Sequence, residues 1–326
     1  MTVFSASFAP PEFFAGWGCS TIVRRKVLEK TDLNCVKNWC IATCSTQSPT
    51  RRFHDFSLKR LCVTKRCRAT NLVGDMDGSD GGGLQMGVEI DMRELQDADA
   101  IVSLANDAGQ ISICGFGSLL SEKSARSTFP NLQNFRVGVL RDLRRVFIHA
   151  TPVFFDRGIA NLDTKEISSV CVEPCKGESI IVTVFEIFTS EVPAFVEREH
   201  EFRFLAIWIE SKGWKEYWAN QVVCSKYSDE EYRRIRCKGS EAEFNRRYGR
   251  HKIQKVYRDD ILPCRVYLRH CILASKNLGP DAYENFLDHS YLGDRTTTIR
   301  KYLESPIGRG IMDEVVPASL RDRYGG

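Results

Sequence analysis

The chain has 326 residues, 43% of them hydrophobic, and a formal net charge of +4. That length holds one large domain or two small ones. No apolar run approaches the roughly 18–20 residues of a membrane span, so a soluble chain with no membrane partner is expected. Residues 1–73 carry twelve Lys/Arg against four Asp/Glu, which leaves residues 74–326 at −4 and argues against a nucleic-acid-binding core.

The basic segment 1–73 is rich in Ser, Thr, Arg and Ala and poor in acids. That composition fits a transit peptide for a plastid or mitochondrion. A disordered tail on a cytoplasmic protein is the first alternative and a nucleic-acid arm the second. Residues 74–109 read as an acidic Gly-rich linker, on the strength of Asp75-Met76-Asp77-Gly78-Ser79-Asp80-Gly81-Gly82-Gly83. A short acidic helix is expected over residues 89–99.

A domain follows over residues 110–305. Residues 111–114 read as a strand and 119–129 as a helix stopped by Pro130, with Ser118 at the N-cap. Residues 135–140 and 144–149 alternate as half-buried strands do, and 168–172 and 180–188 are strong strands. Residues 193–201 read as a helix after a proline start, and 202–210 as a strand. Residues 211–255, with Trp214, Tyr217, Trp218, Tyr227, Tyr232 and Tyr248, read as an insertion beside the sheet and a candidate surface for a protein partner, its helix at 226–236. Residues 280–287 and 296–303 are expected to be closing helices, and 306–326 a C-terminal tail whose last residues, Arg323-Tyr324-Gly325-Gly326, fray. The fold class is α+β, and a sheet of many short strands suits closure into a small mixed-strand β-barrel flanked by helices.

Thirteen cysteines split six before residue 70 and seven after it. None has Cys-x-x-Cys spacing, and Cys171-x-x-x-Cys175 lacks two further ligands. Reduced structural thiols are expected, with no metal and no cofactor.

Two segments carry chemistry. In Ile111-Ser112-Ile113-Cys114-Gly115-Phe116-Gly117-Ser118-Leu119-Leu120 a strand meets two glycines and a helix start. Such a turn aims backbone N–H groups at one spot, beside the positive end of a helix dipole, and suits a small carboxylate. In Phe195-Val196-Glu197-Arg198-Glu199-His200-Glu201-Phe202 three carboxylates surround one arginine.

Gly115-Phe116-Gly117-Ser118-Leu119 resembles the signature loop of the γ-glutamylcyclotransferase-like superfamily, usually Gly-Tyr-Gly-Ser-Leu, in its avirulence-induced-protein-like branch. Phe195-Val196-Glu197-Arg198-Glu199 is similar to that family's later segment, roughly Leu-Asp-x-x-Glu, whose last Glu is catalytic. Tyr267–Gly279 resembles the family's closing strand and helix. The resemblance covers roughly residues 110–305. It implies a mixed barrel flanked by helices, Glu199 as the catalytic residue, and Gly115, Phe116, Gly117, Ser118 and Leu119 as the substrate-binding loop. Phe116 departs from the family's tyrosine by losing the hydroxyl.

The implied reaction needs no protein nucleophile. The α-amino group of a γ-glutamyl amide attacks its own γ-carbonyl, closes 5-oxoproline and expels the amine. The protein folds the substrate, holds its carboxylate at the loop, and moves a proton with one carboxylate. Glutathione, a γ-glutamyl amino acid and a γ-glutamyl-lysine remnant share the reacting end. Two alternatives stay open. One is a catalytically silent binder of a γ-glutamyl ligand. The other is a thiol hydrolase using Cys114 with His149 or His200. Glu197 and Glu201 compete with Glu199 as the base, and surface ion pairing competes for all three.

Overall fold

The computed structural model describes residues 92–213 and 216–325. The expected extension over 1–73, and the Gly-rich part of the linker up to residue 91, lie outside the described residues. The strands are β1 (Arg93–Leu95), β2 (Gln110–Gly115), β3 (Gln133–Ala150), β4 (Glu166–Phe188), β5 (Arg203–Ser211), β6 (Tyr217–Ser225), β7 (Leu262–Pro263) and β8 (Ser290–Tyr291). The helices are α1 (Ala98–Val102), α2 (Glu122–Arg126), α3 (Pro152–Asp156), α4 (Val192–Arg198), α5 (Asp229–Ile235), α6 (Glu241–Tyr248), α7 (Arg265–Asn277), α8 (Pro280–Asp288), α9 (Ile299–Glu304) and α10 (Arg321–Tyr324).

Five strands close a barrel in the order β2–β4–β3–β5–β6, and β6 returns to β2. Four seams are antiparallel, and the β2–β6 seam is parallel, so the barrel is mixed. Closure removes the free edges an open sheet would expose. Ile111, Ile113, Val146, Val184, Phe185, Ile207 and Val222 are buried on the barrel's two faces, each at most 1% exposed.

The expected strand pairs 135–140/144–149 and 168–172/180–188 are halves of two long strands. Between Arg141↔Ser179 and Leu143↔Pro174 the ladder breaks. Four residues of β4 there oppose Asp142 alone. Asp142 sits at φ 60 and Gly177 at φ 84, and the Asp142 carboxylate accepts the Gly177 N–H at 2.7 Å. The bulge bends the hairpin, and its irregular sequence is what interrupts the alternation.

Three expected boundaries are corrected. The linker 74–109 was expected to stay outside the fold, with a helix over 89–99. Instead β1 pairs with the Phe204–Ala206 part of β5, while β3 takes its 210–211 end. Asp97 caps α1 by accepting the Ala100 N–H at 2.8 Å, and Leu95 and Ile101 are buried. Residues 211–255 are not wholly an insertion, because β6 is a barrel strand in ladder with β5 and β2. Only the α5–α6 part lies beyond it. The end at 323–326 does not fray within the described residues: α10 buries Tyr324, at 2% exposed, against Tyr267 and His270.

The β1 correction gives an expected result. Leu95→Ala should lower unfolding free energy by about 2–4 kcal/mol, the cost of a buried leucine cavity, read from denaturant melts. A loss under about 0.5 kcal/mol would return residues 92–109 to the status of a linker.

Candidate active site

The turn after β2 is built from four anchors that hold its carbonyl groups. Thr183 Oγ1 donates to Gly115 O at 3.3 Å and to Leu119 O at 2.9 Å. Arg145 Nε donates to Phe116 O at 2.8 Å. The Leu120 N–H donates to Gly117 O at 3.0 Å, and His270 Nε2 donates to Ser118 O at 3.2 Å. All five carbonyls of residues 115–119 are thus occupied. The N–H groups of Phe116, Gly117 and Leu119 have no acceptor among the described residues, and the Ser118 N–H faces the Tyr267 hydroxyl. A backbone whose acceptors are tied and whose donors are spare can take an anion.

Arg145 is the firmest anchor. It is 1% exposed, also donates to Ile181 O, and lies over the Phe286 ring at 5.1 Å. Burial pulls its guanidinium down to about 10, so it stays charged at neutral pH. No carboxylate pairs with it among the described residues. Sequence reasoning passed over it as a strand residue, since a charge at a core position of a strand has no local signal.

The turn differs from its sequence reading in two ways. Ser118 opens a 3-10 turn (Ser118–Leu120) and caps nothing with its side chain. The cap is Ser121, whose Oγ accepts the Ser124 N–H at 3.3 Å to start α2, so the helix is Glu122–Arg126 rather than 119–129. Phe116 is 8% exposed and packs in the core.

The second segment meets the first across one cavity of about 870 Å³. Phe116, Gly117, Ser118 and Leu119 line it, and so do Glu197, Arg198, Glu199 and Glu201. Pro193 sits in the first turn of α4. Glu199 is the C-cap residue, where the chain leaves the helix at φ −97, ψ 34. Its carboxylate is 18% exposed and bonded to Arg198 Nε at 2.9 Å. Glu197 is 69% exposed and held by Arg247 at 3.0 Å. The helix expected over 193–201 ends at Arg198, so Glu201 lies beyond it. Tyr267–Gly279, expected as a strand and helix, is helical from Arg265 to Asn277. It brings Tyr267 to the cavity wall.

Burial pushes the Glu201 carboxyl up to about 7, and the nearby Glu199 charge pushes the same way. An unfolded glutamate releases its proton near pH ~4.3. Between those values the folded state binds more protons, so this group's contribution to stability falls as pH rises. His149, pushed down to about 3 by burial, and His270, pushed down to about 4, do the opposite and remove stability as pH falls below their unfolded value. Glu201→Gln isolates the first effect from the second. Its Tm relative to the parent should rise by a few degrees between pH 5 and pH 8. A difference that stays constant across that range would show that Glu201 titrates as an ordinary carboxylate.

The thiol pair fares differently. Cys114 and Cys224 line the cavity, but burial pushes both thiols up, and burial pushes His149 down. His149 Nδ1 contacts Ser169 Oγ at 2.7 Å, and His200 Nδ1 contacts the Tyr232 hydroxyl at 3.1 Å. A thiolate–imidazolium pair is therefore disfavoured on both sides. Among the described residues no group of three or more His, Cys, Asp or Glu is arranged to hold a metal, and no helix is long and apolar enough to cross a membrane.

No protein-family model and no curated protein matches the chain. Among solved structures it is similar to a gamma-glutamyl cyclotransferase at 13% identity and a TM-score of 0.28, over 46% of this chain and 90% of that one. It is similar to an uncharacterized protein from Homo sapiens at 12% identity and a TM-score of 0.30, over 47% and 90%. It is similar to YkqA from Bacillus subtilis at 14% identity and a TM-score of 0.34, over 54% of this chain and 52% of that one.

Proposed function

We propose that the chain is an enzyme of the γ-glutamylcyclotransferase type, converting a γ-glutamyl amide to 5-oxoproline and a free amine. The observation that carries this reading is the turn at 115–119. Its carbonyls are all tied back, the N–H groups of Phe116, Gly117 and Leu119 have no acceptor among the described residues, and it shares a cavity with Glu199. In this reading the spare N–H groups hold the α-carboxylate of the substrate. That contact orients the α-amino nitrogen toward the γ-carbonyl, and ring closure is then intramolecular. Glu199 accepts a proton from the α-ammonium and delivers one to the departing nitrogen. No cofactor or metal enters the scheme. The test is incubation of the full chain with a panel of γ-glutamyl compounds, with 5-oxoproline as the readout. Binding of a γ-glutamyl compound without 5-oxoproline would favour the silent binder instead. The reading of residues 1–73 as an organelle address is a separate proposal, tested by the location of a fluorescent fusion.

A further inference from the structure

Six arginines line the cavity, and four of them are neutralised. Arg198 pairs with Glu199, Arg246 with Glu243, Arg247 with Glu197 and Glu243, and Arg250 with Asp156. Arg157 and Arg323 pair with no carboxylate among the described residues. Arg157 donates to the Tyr324 hydroxyl and lies 5.3 Å from that ring's centre. Arg323 donates to Thr128 Oγ1 at 3.0 Å, lies 5.8 Å from the same ring centre, and has a buried Nε with no acceptor. Both guanidinium groups thus lie beside the Tyr324 ring on the cavity wall. Arg157 is also pulled below its usual range, by burial first and then by the charges of Arg323 and Arg198. A half-buried cation without a counterion leaves an unmet demand for one, and an anion meets it.

We infer that Arg157 and Arg323 bind a second anionic group of the substrate, the carboxylate of the leaving amine. This rests on the γ-glutamyl reading above. The spare N–H groups of the turn serve one carboxylate, and two planar guanidinium groups suit another. The favoured leaving group is then an amino acid or peptide with a free carboxylate, over a plain alkylamine or an amide-capped end.

The experiment compares γ-glutamylglycine with γ-glutamylglycinamide by calorimetry. It uses the full chain carrying Glu199→Gln so that the ligands persist. The dipeptide should bind about 10- to 100-fold more tightly, the usual worth of a charge-assisted contact. That ratio should collapse toward one in Arg157→Gln and in Arg323→Gln, and Arg323→Lys should recover part of it. Equal affinities in the parent would overturn the inference and leave the γ-glutamyl reading standing, as would a ratio that survives both Gln variants. Gln variants that weaken both compounds alike would assign the arginines to the glutamyl carboxylate and also overturn it. Binding of neither compound would sink the γ-glutamyl reading and this inference with it.

Discussion

Glu199→Gln should bind a γ-glutamyl compound as the parent does and turn it over about 10²–10⁴ times more slowly, the usual worth of a positioned acid–base group. The amide keeps the shape of the carboxylate and can still meet Arg198, which now lies 2.9 Å from it. What it loses is the capacity to carry a proton. The informative comparison is with Glu201→Gln. Glu201 shares the cavity and holds its proton to about pH 7, so it is the competing acid–base group. Two carboxyls in different environments are a common way to divide acid and base roles. If Glu199 alone carries the proton, Glu201→Gln should change kcat by less than about tenfold. It should also shift any limb of the pH–rate profile near 7. A Glu201→Gln loss as large as that of Glu199→Gln would make the pair the unit of catalysis. Parent rates in both variants would remove the carboxylates from the mechanism.

The two chemical segments were legible in the sequence because each is local. A strand, two glycines and a polar turn have a fixed consequence for backbone N–H groups, and Glu199 stands beside a proline-started helix. The barrel strands β2, β4 and β5 were legible for the same reason, through β-branched and alternating residues. What escaped was set by distant pairing. β1 carries the short, charged sequence Arg-Glu-Leu and becomes a strand only because β5 offers an edge. β6 reads Tyr-Trp-Ala-Asn-Gln-Val-Val-Cys-Ser, and its polar first half hid a strand whose second half closes the parallel seam. Arg145 sits far along the chain from the Phe116 carbonyl it holds, and Arg323 far from the other residues of the cavity wall it reaches. Their roles come from the burial of one and the docking of α10 on Tyr267 for the other, and neither has a local pattern.

Gly117→Val should abolish binding of a γ-glutamyl compound while leaving a cooperatively folded barrel. Gly117 has φ −126, so the requirement for glycine there is steric rather than conformational. A Cβ there would lie 2.5 Å from the Tyr267 hydroxyl and 2.6 Å from Val170 Cγ1. Neither neighbour can give way easily. Tyr267 is 7% exposed and wedged among Phe147, Phe154 and Tyr324, and Val170 is in the ladder of β4 with β3. The turn must therefore move, and with it the Phe116 and Gly117 N–H groups proposed to hold the carboxylate. Overpacking of this kind costs about 1–3 kcal/mol of stability, small beside the loss of aligned donors to a carboxylate. Even Gly117→Ala meets the 2.5 Å contact. Adding Tyr267→Phe to Gly117→Ala removes the atom it strikes, so the double variant should recover part of the binding lost by the single one. Parent-like affinity in Gly117→Val would mean that the turn merely joins β2 to α2, and the anion site would have to be sought elsewhere on the cavity wall.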